Sequence, residues 1–182
     1  MRKKINKKLA KELLEMMRTD QEMRLQFIAG KEKLDARLDR KHTWRLKKII
    51  KKHGWPIKSL VGRRASHAAW LLTQHSPDLK FQKKVLSILN DIYKKSGKEI
   101  NPAHTAYLTD RILIKENKKQ IFGTQLRKNK SGTFEPFPTQ NVKDVDKKRK
   151  MHGLLSLEKY VKEHERAINQ WKKIENQPAK IR

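Results

Sequence analysis

Apolar residues recur every three to four positions along most of this chain, a spacing that commits it to helices packed by one face. Ile5, Leu9, Leu13, Met16 and Met17 form one such stripe, continued by Met23 and Phe27 until Gly30 interrupts it. Leu34, Leu38, Leu46, Ile49 and Ile50 form a second, which stops at His53-Gly54, where a glycine suits a left-handed cap. Trp55-Pro56 then predicts an extended connection through Ile57, Lys58 and Ser59 to Gly62, because a proline ring disfavours helical backbone in the residue before it.

A third helix is predicted over residues 63–75, where Ala65, Ala68, Ala69, Trp70, Leu71 and Leu72 crowd too closely for a surface element. Ser76-Pro77-Asp78 reads as a cap, a first-turn proline and an acid on the positive dipole end, opening a fourth helix that buries Phe81, Val85, Ile88, Leu89 and Ile92. Asn101-Pro102 repeats that signal for a fifth helix, residues 103–116. The texture then changes. Residues 120–126 are rich in strand formers, Asn129 to Gly132 is a turn cluster, and residues 133–138 carry prolines that suit only an edge strand. A short helix over residues 141–152 and a last one capped by Ser156 complete the chain. The expected fold is mainly α: a single helical domain over residues 1–175 of six to seven helices, with a short irregular hairpin-like insertion. Residues 176–182 are expected to form a flexible C-terminal tail.

Charge narrows the partner. The chain carries 46 Lys+Arg against 19 Asp+Glu, a formal net charge of +27. Such an excess points to a polyanion, because neutralising phosphates releases their counterions and yields affinity independent of sequence. The excess is spread along the chain; residues 31–53 alone hold ten basic and three acidic residues. Lysine outnumbers arginine, 33 to 13, which favours diffuse phosphate attraction over bidentate reading of bases. The absence of cysteine excludes disulfides, thiolate catalysis and Cys-based zinc sites. No His-x-x-x-His spacing occurs, so neither a metal nor another cofactor is expected. No apolar run approaches the ~20 residues that span a bilayer, and a cytoplasmic setting is the expectation.

A few polar residues fall where apolar ones belong. Asp20 shares a face with Leu13, Met17 and Phe27, so either the helix kinks there and leaves the acid in water or the acid projects into a cleft. His67 and Gln74 share a face of the third helix, and His75 sits at its negative dipole end. Asp110 lies on an otherwise apolar side of the fifth helix, with Arg111 turned elsewhere. Gln120, Thr124 and Gln125 surround Gly123, where a missing Cβ permits close backbone approach.

The run from Lys51 to Gly62, KKHGWPIKSLVG, followed by AAWLLTQH ending at His75 and by Phe81-Gln82, resembles a bacterial domain-of-unknown-function family, the one numbered 6624. AYLTDR ending at Arg111, QIFGTQ ending at Gln125 and VDKKRKMHGL ending at Leu154 match the same family in the same order. The resemblance implies that Asp20, Gln21, Gln74, His75, Gln82, Asp110, Arg111, Gln120, Thr124 and Gln125 are family positions. It implies no activity. The chain departs from the family in being so basic and in having Phe122 where tyrosine is commoner.

The first functional expectation is a protein that binds RNA, DNA or a phosphorylated nucleotide. Lys47, Lys48, Lys51, Lys52, Lys147, Lys148, Arg149 and Lys150 would supply the field, and Arg63, Arg64 and Arg111 the directed phosphate contacts. Asp20, His67, Gln74, Gln120 and Thr124 join Arg63 and Arg64 as ligand-contacting candidates. The rival is a metal-independent hydrolase or transferase, with His75 as general base, Asp110 as its orienting acid, and Arg111 and Gln125 stabilising developing negative charge. A third reading is a protein-interaction module built on the amphipathic terminal helices.

Overall fold

Asn6 starts the first helix by accepting the Leu9 N–H on its side chain at 3.0 Å. In the computed structural model, which describes residues 5–175, helix α1 (Lys7–Ile28) then runs without a break through Asp20. Asp35 caps α2 (Ala36–His53), and Gly54 ends it with a φ of 71°. The stretch after Pro56, expected to be extended, instead makes one helical turn, α3 (Lys58–Val61), before α4 (Arg63–His75), α5 (Leu79–Lys95) and α6 (Pro102–Lys115). The cap of α5 is Asp78, which accepts the Phe81 N–H at 2.9 Å, so Pro77 lies outside the helix rather than in its first turn. Asn101 does accept the Ala103 N–H at 3.1 Å, as a helix start over Asn101-Pro102 requires.

The chain divides into two compact units, Met1–Leu108 and Thr109–Arg182. In the first, α4 packs against α1, α2 and α5 through Ala65, Ala68 and Ala69, whose small side chains let the backbones approach. Leu13, Leu46, Leu72, Val85 and Leu89 fill the core, each worth roughly 2 kcal/mol in buried apolar area.

The second unit holds a two-stranded antiparallel ribbon, β1 (Leu126–Lys128) with β2 (Phe134–Pro136), in the register Arg127 opposite Glu135. The first strand begins where the expected one ended. Residues 120–125 form a folded loop instead, because side chains rather than a neighbouring strand satisfy most of its backbone. A 3-10 turn (Val142–Asp144) leads into α7 (Val145–Met151), and α8 (Leu157–Glu175) closes the described chain. The architecture is mainly α with this one small ribbon. The expected tail over residues 176–182 lies outside the described residues. Among the described residues, no helix is long and apolar enough to cross a membrane.

Candidate anion-binding cavity

The first turn of α4 is unusual in its chemistry. A helix N-terminus carries partial positive charge and four amides without intrahelical partners, and acidic residues normally settle there. Here Gly62 occupies the cap position with no side chain to offer, the first two helical residues are Arg63 and Arg64, and no acid lies in the first turn. The start of α6 likewise lacks an acid. These two helix starts meet at a cavity of about 580 Å³ lined by Lys58, Arg63, Arg64, Ser66, His67, Asn101 and His104 among others, with no Asp or Glu in its wall among the described residues.

The wall is fixed from behind. His104, buried at 5% exposure, stacks on Trp70 with ring centroids 4.2 Å apart, and Trp70 Nε1 donates to the His104 carbonyl at 3.1 Å. His67 Nδ1 lies 3.2 Å from His104 Nε2, so one proton is shared across that pair. Burial drives the His104 pKa down to about 3, assisted by His67 and Lys58, and burial also lowers that of His67. Both rings are thus neutral at pH 7, and when His104 Nε2 carries the shared proton, His67 Nε2–H is left as a donor to the cavity. Lys58 Nζ donates to the carbonyls of Ile100 (2.7 Å) and Lys98 (3.1 Å), which holds its charge at the rim. Ser66 is 3% exposed, lines the cavity and has no side-chain hydrogen-bond partner among the described residues.

A separate polar knot organises α1, α2 and α4. Asp20 is fully buried, and both its oxygens face His75 Nδ1, at 2.9 and 2.8 Å. Arg24 Nε lies 2.8 Å from the same nitrogen and 3.3 Å from Asp20 Oδ1, and Arg24 Nη2 donates to Asp39 Oδ1 at 2.6 Å. Burial alone would raise the Asp20 carboxyl; the His75 hydrogen bond and charge, with Gln21 and Arg24, outweigh it and hold it below its ordinary range. The orienting acid of His75 is therefore Asp20, not Asp110. Asp20 is enclosed, and Gln74, only 3% exposed, is likewise a buried residue.

In the second unit Asp110 performs a different task. Its Oδ1 accepts the N–H groups of Ile121 (2.7 Å) and Phe122 (3.0 Å), and its Oδ2 accepts the N–H (2.9 Å) and Oγ1–H (2.9 Å) of Thr124. Gln120 completes the loop, donating to the Gln125 and Phe137 carbonyls at 3.1 and 2.8 Å and accepting the Gln125 N–H at 2.9 Å. The concave backbone that a ligand's oxygens would occupy is filled by the protein's own carboxylate. Gly123 is required twice over: its φ is +67°, and a Cβ there would stand 2.7 Å from Leu157 Cδ1. Asp110, Gln120 and Thr124 are accordingly structural. Gln125 donates to Thr124 Oγ1 at 3.1 Å, and Arg111 is half-buried on α6.

Arg149 needs the same correction. It is 0% exposed, donates to the Leu155 carbonyl at 2.6 Å and the Phe122 carbonyl at 2.5 Å, and lies 4.9 Å from the Tyr160 ring centre. It cannot touch a surface polyanion. Its neighbours Lys147 and Lys150 are exposed and Lys148 is half-buried. On α2, Lys47, Lys48, Lys51 and Lys52 are all exposed; Lys47 reaches Asp78 at 2.6 Å, and Lys48 lies 3.6 Å from the Trp44 ring centre.

A family model described as a family of unknown function (DUF6624) matches residues 7–173. The chain belongs to that family. No curated protein and no solved structure matches it. Membership in DUF6624 spans both units and all the polar positions above, yet it assigns no activity to any of them.

Sequence reasoning named Arg63, Arg64 and His67 separately, as ligand-contacting candidates among Asp20, Gln74, Gln120 and Thr124; these three line one cavity with Lys58, Ser66 and His104, which were not named. The signal for His104 was present, since Asn101-Pro102 puts it in the first turn of a helix. Lys58 was hidden because its segment was read as extended connection. Arg24, four residues after Asp20 on the same helix, was legible from spacing and was missed; Asp39, which Arg24 reaches across to α2, leaves no local pattern.

Proposed function

We propose that this DUF6624 protein binds a phosphate-bearing polyanion, RNA ahead of DNA and of a phosphorylated nucleotide, and that one phosphate group docks in the cavity at the starts of α4 and α6. The observation that carries this reading is the acid-free wall of Lys58, Arg63, Arg64, Ser66, His67 and His104 against two helix N-termini. Two arginines at the positive end of a helix repel the dipole, and an anion placed between them turns that repulsion into attraction. Such a pocket selects for phosphate by charge and by directed N–H donors, while the lysines of α2 and α7 add a longer-range field. The absence of cysteine fits a cytoplasmic setting.

The reading is tested by fluorescence anisotropy with a labelled RNA at salt concentrations from about 50 to 200 mM. Log affinity is expected to fall linearly with log salt. Replacing both Arg63 and Arg64 by Gln is expected to weaken binding and make the slope shallower by about 0.7, the share of one phosphate on a single strand. Affinity independent of salt, or no binding at low salt, overturns the proposal. A second reading, a protein partner on α1, draws on Leu25, Phe27 and Ile28, which are 45%, 47% and 52% exposed at its C-terminal end.

A further inference from the structure

Trp44 is out of place. A tryptophan offers some of the largest apolar area of any side chain and is normally mostly buried, yet this one is 57% exposed. The helical repeat explains the position: the buried stripe of α2 runs through His42, Leu46 and Ile49, and Trp44 points the other way. At 100° per residue, Arg37, Arg40, Lys41, Lys47, Lys48 and Lys51 all fall within about 60° of Trp44, and all six are exposed. No acid of α2 shares that sector, and the one carboxylate from another element that reaches it among the described residues is Asp78, 2.6 Å from Lys47. Asp39 lies about 140° away and is tied to Arg24. The result is a cationic strip about 21 Å long, from Arg37 to Lys51, with a single aromatic ring in its middle.

We propose that this face of α2 is a platform for single-stranded nucleic acid, on which an unpaired base stacks against the Trp44 indole while the flanking cations hold the phosphates on either side. The inference rests on the polyanion reading of the basic surface but not on the α4–α6 cavity. A flat ring among cations matches a strand that alternates planar bases with phosphates, and stacking tolerates any base because each has a π face. A duplex exposes only base edges in its grooves, so its bases offer no face to the indole. Lys48 Nζ lies 3.6 Å over one face of the ring, so a stacking base takes the opposite face or displaces that ammonium. A bilayer surface is the poorer match, because an interfacial helix needs several apolar residues on the inserted face and this sector has only Trp44.

The test compares Trp44→Ala and Trp44→Phe with the unaltered chain, using a labelled single strand of about 12 nucleotides, the corresponding duplex, heparin and anionic phosphatidylserine vesicles as probes. Trp44 is exposed, so both variants should fold, and circular dichroism verifies this. Trp44→Ala is expected to weaken single-strand binding about 5- to 100-fold, with the salt slope, duplex affinity and heparin affinity unchanged; Trp44→Phe should recover most of the loss. Equal single-strand affinity for Trp44→Ala and the unaltered chain overturns the stacking proposal while salt-dependent heparin binding leaves the polyanion reading standing. Loss on duplex and single strand alike, or Trp44-dependent vesicle binding with oligonucleotide affinity intact, also overturns it. Absence of all polyanion binding at low salt removes both readings.

Discussion

Replacing Asp110 by Asn should unfold the second unit or leave it close to its midpoint. The carboxylate is fully buried, and its oxygens accept from three backbone amides and one hydroxyl, with distances from 2.7 to 3.0 Å for the best of these contacts. Asparagine keeps the shape but removes the charge from every one of those bonds. It also turns an NH2 group toward either the Ile121 and Phe122 amides or the Thr124 amide, so at least one buried N–H faces another donor. Hydrogen bonds to charged groups are worth about 1.5–3 kcal/mol each, and a buried unsatisfied donor costs about 1–3 kcal/mol, so a loss of about 3–5 kcal/mol is expected. A domain this small has little stability to lose. At about 4–8 °C per kcal/mol, its melting temperature should fall by more than about 12 °C. Hydrogen exchange supplies the site-specific readout: the amides of Ile121, Phe122 and Thr124 should lose protection together. A variant that melts within a few degrees of the unaltered protein, with those three amides still protected, would refute the claim that Asp110 is a structural anion.

Two further outcomes follow from buried charge. Arg149→Met should cost about 3 kcal/mol, because the Phe122 and Leu155 carbonyls lose their cationic donor; under conditions where the variant stays folded, the salt slope of RNA binding should not change. A lowered slope would return Arg149 to the phosphate-contacting surface. His104 sets a pH dependence. Its folded pKa of about 3 lies below the ordinary imidazole value near 6.5, so between those values the unfolded chain binds more protons. Stability is therefore fully present above pH ~6.5 and falls by about 1.4 kcal/mol per unit as the pH drops toward 3. Urea midpoints measured against pH should show this slope, and His104→Gln should flatten it.

Much of the fold was legible because its signals are local. Asn101 and Gly54 announce helix ends by residue type alone, and the stripes through Leu13, Leu46 and Leu89 follow from spacing. The strand-like run at 120–126 misled because Ile121, Phe122 and Thr124 have strand propensity, whereas their amides are claimed by a carboxylate eleven to fourteen residues away in sequence. The same non-locality hid the partner of His75: Asp20 is 55 positions distant in sequence. Arg149 sits among four consecutive cations and looks identical to its neighbours until packing buries it. Charge runs identify a solvated basic surface; they do not say which member of the run turns inward.

The central claim is that the cavity at the starts of α4 and α6 takes a phosphate group, and NMR titration with inorganic phosphate tests it most directly. The account predicts saturable shifts confined to the first-turn amides of α4 at Arg63, Arg64 and Ala65, the Ser66 and His67 side chains, and the start of α6, with those shifts lost in the double Gln variant at Arg63 and Arg64. Shifts spread over the exposed lysines of α2 and α7 without saturation, or a silent cavity while RNA still binds, would contradict it.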